Sequence, residues 1–103
     1  MKRSADFQRV QENGRRLRGP KLSLVYAPGT AECTRAGWAV RRAVGPAVQR
    51  NKVKRWLREI LRVEAGPSGG PWDLVFIPQP GVLDGGFHAI RVQTVDLLRR
   101  VRR

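Results

Sequence analysis

The stretch GPAVQRNKVKRWLREILRVE, residues Gly45 to Glu64, decides how the chain folds, because it combines a helix start, an apolar stripe and the densest positive charge. Gly45 can cap without steric cost, and Pro46 suits the first helical position, where any residue's N–H would be unpaired. At about 100° per residue, Val53, Trp56, Leu57, Ile60, Leu61 and Val63 fall on one arc, and Asn51, Lys54, Arg55, Arg58 and Arg62 on the opposite one. Gly66 and Pro67 supply the stop. Arg50, Lys52, Lys54, Arg55, Arg58 and Arg62 stand against only Glu59 and Glu64. Neither glutamate is expected to neutralise the stripe, since Glu64 sits on the apolar side. A helix selected only for solubility mixes its signs. A stripe of one sign, rich in Arg, suits a polyphosphate partner, because the planar guanidinium holds two phosphate oxygens at once.

Outward from that helix, the preceding segment Cys33 to Arg42 reads as a strand with Ala36, Trp38 and Val40 on one face and Arg35, Gly37, Ala39 and Arg41 on the other. The second face is small and cationic. It suits either solvent or an extended nucleic-acid strand with arginines on its phosphates. The segment after the helix, Asp73 to Ile77, is a continuous apolar run and reads as an interior strand. These two strands can pair in parallel through the helix, as a βαβ unit.

Further out, Leu22, Leu24 and Tyr26 alternate with Lys21, Ser23 and Val25, the period of a half-buried strand. Arg15, Arg16 and Arg18 before it form a basic connection or a short edge strand. Ser4 is placed to cap a first helix ending at Asn13, with Asp6 in its first turn and Phe7 and Val10 as its thin apolar side. Phe7 has two readings, core residue or base-stacking platform. A last helix carries Phe87, Ile90, Thr94, Leu97, Leu98 and Val101 at helical spacing. Its final run, Arg99 to Arg103, is expected to fray and to add long-range attraction without specificity. The order is helix, two or three strands, basic helix, strand, helix: an α+β sandwich in one domain, residues 1–103.

The totals narrow the function. The 103 residues carry 21 Lys and Arg against 8 Asp and Glu, a formal charge of +13 that points to a polyanion, with nucleic acid ahead of an anionic membrane. No run approaches the roughly 18–20 apolar residues of a spanning helix, and the opening Met1-Lys2-Arg3 leads into a polar segment, so a cytoplasmic protein is expected. One cysteine and one histidine cannot build a zinc site alone. The acids are scattered, with no clustered carboxylates of the kind metal-dependent phosphodiester cleavage requires. Neither a phosphate-binding glycine loop nor a nucleophile elbow is present.

The run Val44 to Glu59, with Ala47, Arg50-Asn51, Lys52, Val53, Lys54-Arg55 and Arg58 in register, resembles the signature helix of the protein subunit of bacterial ribonuclease P. Asp6 to Val10 with Gly14, the Gly37–Arg42 strand, Asp73 to Ile77 and the final helix follow the same family order. The resemblance implies a basic subunit that helps a catalytic RNA remove the 5′ leader from precursor tRNA. No catalytic residue is then expected in the protein, and Mg²⁺ would be held mainly by the RNA. It also implies a fold similar to the second domain of a ribosomal small-subunit protein, with a left-handed βαβ crossover. By position, Arg50, Asn51, Lys52, Lys54, Arg55, Arg58 and Arg62 would contact the catalytic RNA. Phe7, Tyr26, Arg35 and Arg41 would border the cleft that takes the leader, with Val25 the other candidate for the strand position given to Tyr26. Gln11 stands where many relatives carry a second aromatic. A ribosomal-type or DNA-binding structural module is the alternative; the lack of a second helix a short turn away counts against helix-turn-helix binding.

Overall fold

The computed structural model describes residues 4–64, 66, 67 and 69–102, without the side chains of residues 4–6. The chain runs α1 (Ser4–Asn13), β1 (Arg15–Arg18), β2 (Leu22–Pro28), β3 (Arg35–Trp38), a 3₁₀ turn (Arg42–Val44), α2 (Ala47–Val63), β4 (Trp72–Pro78) and α3 (Gly86–Arg99). The capping roles of Ser4 and Asp6, and Arg103, lie outside the described residues.

Strand order is β1-β2-β4-β3. β1 pairs antiparallel with β2 and β2 with β4, whereas β3 lies parallel to β4, with Gly37 opposite Val75 and Trp38 opposite Phe76. β3, α2 and β4 therefore form the expected βαβ unit. The basic segment at Arg15–Arg18 is an edge strand, and the Cys33–Arg42 reading contracts to Arg35–Trp38, because the chain leaves the sheet for the 3₁₀ turn.

Both sheet faces are covered. On one, Leu22, Leu24, Tyr26, Trp72, Leu74 and Phe76 pack under Val53, Leu57 and Ile60 of α2 and Ile90, Leu97 and Leu98 of α3. On the other, Val25, Ala27, Val75 and Ile77 pack against Val10 of α1. β2 is thus buried on both sides rather than half-buried, because α1 caps the face the alternation assigned to solvent. Val63 stands 68% exposed instead of joining the apolar arc; it lies about 100° from the middle of the buried stripe. As far as Arg102 the tail is likewise held rather than frayed: Val101 is buried, and the Tyr26 hydroxyl donates to the Arg102 carbonyl at 3.2 Å.

Two close approaches fix α1 and the entry to α2. A Cβ on Gly37 would stand 2.6 Å from the tip of the Phe7 ring, so glycine lets that ring approach β3 this closely. Gly45 has φ +150°, and a Cβ there would collide with Gln49. It leads the chain into α2, whose cap position is held by Pro46, one residue later than the Gly45 assigned from the sequence. At the far end, Glu64 pairs with Arg91 of α3 at 3.1 Å.

Asp73 locks the α1 face. Its side chain is fully buried, and Arg35 of β3 donates to it twice, each bond 3.0 Å, while Arg9 of α1 donates to the same carboxylate. Burial pushes this carboxyl up, but hydrogen bonds and charge from Arg35 and then Arg9 outweigh that, so it titrates below the usual carboxylate range. A depressed folded pKa gives stability that is complete above the unfolded value near pH 4 and is lost as pH falls from there toward the folded value. Asp73→Asn is expected to cost roughly 3 kcal/mol in urea unfolding at pH 7. The gap between wild type and variant should shrink below about pH 4; a gap that stays constant to pH 2 would contradict the ion clamp.

Candidate nucleic-acid interface

α2 presents the site. Val53, Leu57 and Ile60 anchor it to the sheet, which leaves Asn51, Arg55, Arg58, Glu59 and Arg62 exposed on its outer side. Arg58 holds its guanidinium over the Trp38 ring, 5.7 Å from the centroid. On the other flank Lys52 lies 4.8 Å above Trp56, which meets Phe87 of α3 edge-on at 5.6 Å. Half-buried tryptophans therefore bracket the helix and hold two cations by ring attraction without neutralising them. Lys54 and Arg55 have no ionic partner among the described residues.

Two of the expected RNA contacts have internal work as well. Arg50 is half-buried, and its Nε donates to the Gly45 carbonyl at 3.2 Å, bracing the turn into the helix. Arg62 donates to Glu59 at 2.5 and 3.3 Å, so the expectation that neither glutamate meets the stripe is corrected: three residues apart on a helix, the two side chains are neighbours. The Arg62 hydrogen bond and charge hold the Glu59 carboxyl below its ordinary range.

The cleft residues are divided by the sheet. Phe7 and Arg35 lie on the α1 face, joined through Gly37 and Asp73, while Arg41 is exposed beyond the strand end and donates to Gln79 Oε1 at 3.1 Å. Tyr26 is corrected. Its ring is 5% exposed on the opposite face, edge-on to Trp72 at 5.5 Å, and Val25 holds the strand position that faces α1. Arg35 has its guanidinium bound to Asp73 and to the Thr30 hydroxyl, and so also shapes that face.

Sequence reasoning missed Arg9 and Asp73 as partners, and the two tryptophans as cation platforms. A carboxylate at the head of an interior strand was the available signal, since a buried charge requires a counter-charge. The separation of Arg9, Arg35 and Asp73 along the chain hid which cations would supply it. Among the described residues, no group of three His, Cys, Asp or Glu side chains is placed to hold a metal ion.

The family model described as Ribonuclease P matches residues 1–102. The chain belongs to the ribonuclease P protein family. It is 36% identical over 97 residues to the ribonuclease P protein component of Herpetosiphon aurantiacus, covering 94% of this chain and 79% of that one. Against the component from Chloroflexus aurantiacus, identity is 37% over 101 residues, 97% of this chain and 75% of the relative. The solved RNase P protein from Thermotoga maritima superposes with a TM-score of 0.88 at 28% identity, covering 99% of both chains. That from Staphylococcus aureus gives 0.86 at 26% identity, over 96% of this chain and 91% of that one. Family membership makes this chain a subunit of a ribonucleoprotein endoribonuclease acting with an RNA subunit in 5′-leader processing of tRNA, and it disfavours the structural-module alternative.

Arg50 and Arg55 should separate structure from binding. Arg55→Ala should weaken RNA binding with the unfolding free energy unchanged within about 0.5 kcal/mol. Arg50→Ala should weaken binding and also destabilise the fold by about 1 kcal/mol, through the lost bond to Gly45. Calorimetry beside filter binding checks both; equal stability of the two variants would contradict the role given to Arg50.

Proposed function

We propose that α2 grips the phosphate backbone of the RNA subunit through Arg50, Asn51, Lys52, Lys54, Arg55 and Arg58, with Arg62 a weaker contact because Glu59 already holds it. The observation that carries this reading is the uncompensated arc itself: Lys54, Arg55 and Arg58 face outward from a helix whose inner side is fully packed. A cation seated on a ring stays charged and partly desolvated, ready to exchange water for phosphate oxygens. The precursor tRNA leader is assigned to the α1 face, bordered by Phe7 and Arg41, with Arg35 and Asp73 holding α1 at a fixed height above β3. Tyr26 takes no part in it.

Mg²⁺ enters as the cofactor of the RNA. The described residues do not fit it as ligands, because the buried carboxylate, Asp73, has its oxygens on guanidinium groups. No helix among the described residues is long and apolar enough to cross a membrane, and we assign the protein to the cytoplasm, where tRNA is processed.

Five phosphate contacts from the five cations Arg50, Lys52, Lys54, Arg55 and Arg58 would reduce affinity by about 10²–10³ between 50 and 200 mM salt. Titrating the protein into its ribonuclease P RNA across that range measures the slope, and leader removal at low Mg²⁺ measures the function. The expected result is a steep salt dependence with stimulation of cleavage. A flat salt response, or cleavage without the added RNA, would overturn the reading.

A further inference from the structure

The sheet has a second basic edge, opposite α2. β1 is the edge strand on that side, and its Arg15, Arg16 and Arg18 are all exposed. The C-terminal end of the chain meets it there. Arg100 donates from Nη1 to the Arg18 carbonyl at 3.1 Å, and Arg102, fixed through its own carbonyl by Tyr26, borders with Arg15 a groove of about 310 Å³. Asn13 lies on the groove's wall, and Tyr26, Ala27 and Trp72 line it. Five cations from two distant parts of the sequence thus share one edge. Among the described residues, Asp96 pairs with one of them, 3.4 Å from Arg100.

We propose that this edge is a second RNA-binding surface, which holds a segment of the RNA partner different from the one held by α2. The inference rests on the reading above only in taking RNA as the partner. Charge complementarity selects the occupant. Every cation on the edge is Arg, the side chain whose planar fork binds phosphate through two bonds. Charged side chains guard an edge strand against pairing with another chain, and this four-residue strand carries three, all Arg. Arg16 and Arg18, opposite Val25 and Ser23, are two apart on the α1 side of the sheet, about 6.7 Å along the strand, whereas Arg15 points with Leu17 to the other side; β1 also leaves outward backbone N–H groups as donors. The pinned tail turns Arg100 and Arg102 from a diffuse cloud into positioned groups.

Position makes the two surfaces distinct. Arg58 of α2 lies over Trp38 on β3, one edge of the sheet, and β1 is the other. Four strands place these edges about 14 Å apart, with α3 covering part of the face between. A backbone lying along α2 does not run along β1. The protein would therefore bridge two stretches of one folded RNA, holding their separation at the width of its sheet.

Hydroxyl-radical footprinting of the ribonuclease P RNA with three proteins tests this: wild type, Arg16→Gln/Arg18→Gln, and Lys54→Gln/Arg55→Gln. The expected result is two non-overlapping protected stretches, one lost with each variant. The edge variant should flatten the slope of log affinity against log salt by about 1.4–1.8, two phosphate contacts' worth. Circular dichroism and thermal midpoint must match wild type, and Arg16→Lys/Arg18→Lys should restore most of the slope. Unchanged protection and slope in the edge variant, or loss of the same nucleotides in both variants, would overturn the proposal. Weakening by the edge variant alone would uphold it while overturning the assignment of α2.

Discussion

Parallel pairing of β3 with β4 is the constraint on which the rest depends. Parallel neighbours cannot be joined by a tight turn, so the chain must travel from one end of the sheet to the other before it returns. That crossing is α2, 17 residues long, pressed to the sheet by Val53, Leu57 and Ile60. A helix so placed has one buried side and one that faces water. The sequence loads the outer side with cations, and sheet geometry keeps that side turned outward.

The opposite face obeys a different logic. α1 contributes little apolar area, chiefly Val10 and Phe7, and is held instead by the Asp73 carboxylate between Arg9 and Arg35. An ion clamp of this kind sets position as well as stability, because a guanidinium fork accepts few orientations of its partner. It also removes two arginines from the pool available to phosphate. The count of 21 Lys and Arg therefore overstates the free cations the surface offers, and the Arg62–Glu59 pair reduces it again.

Much of the architecture was legible in the letters, since helix and strand periods are local. The charged and apolar arcs of α2, the interior strand at Asp73–Ile77, and the stripe of the last helix all emerged from spacing, and each element stands there. Burial on both faces of β2 was not legible, because the covering residue, Val10, lies outside the strand. Alternation assigned Tyr26 a side but not what lay on that side, so its distance from Phe7 waited for the fold. The clamp at Asp73 joins residues up to 64 positions apart, and no spacing rule reaches that far. Family register runs unbroken along α2, and Lys54, Arg55 and Arg58 stand on its outer side. At Tyr26 and Val25, register alone does not separate neighbouring strand residues that face opposite ways.

The central claim is that the outer side chains of α2 meet RNA while its inner ones hold the fold. Mass spectrometry of lysine and arginine modification, in the free protein and in complex with its ribonuclease P RNA, tests that claim most directly. The account predicts that Lys54, Arg55 and Arg58 react readily in the free protein and are protected in the complex. Equal reactivity of these three side chains in both states would contradict it.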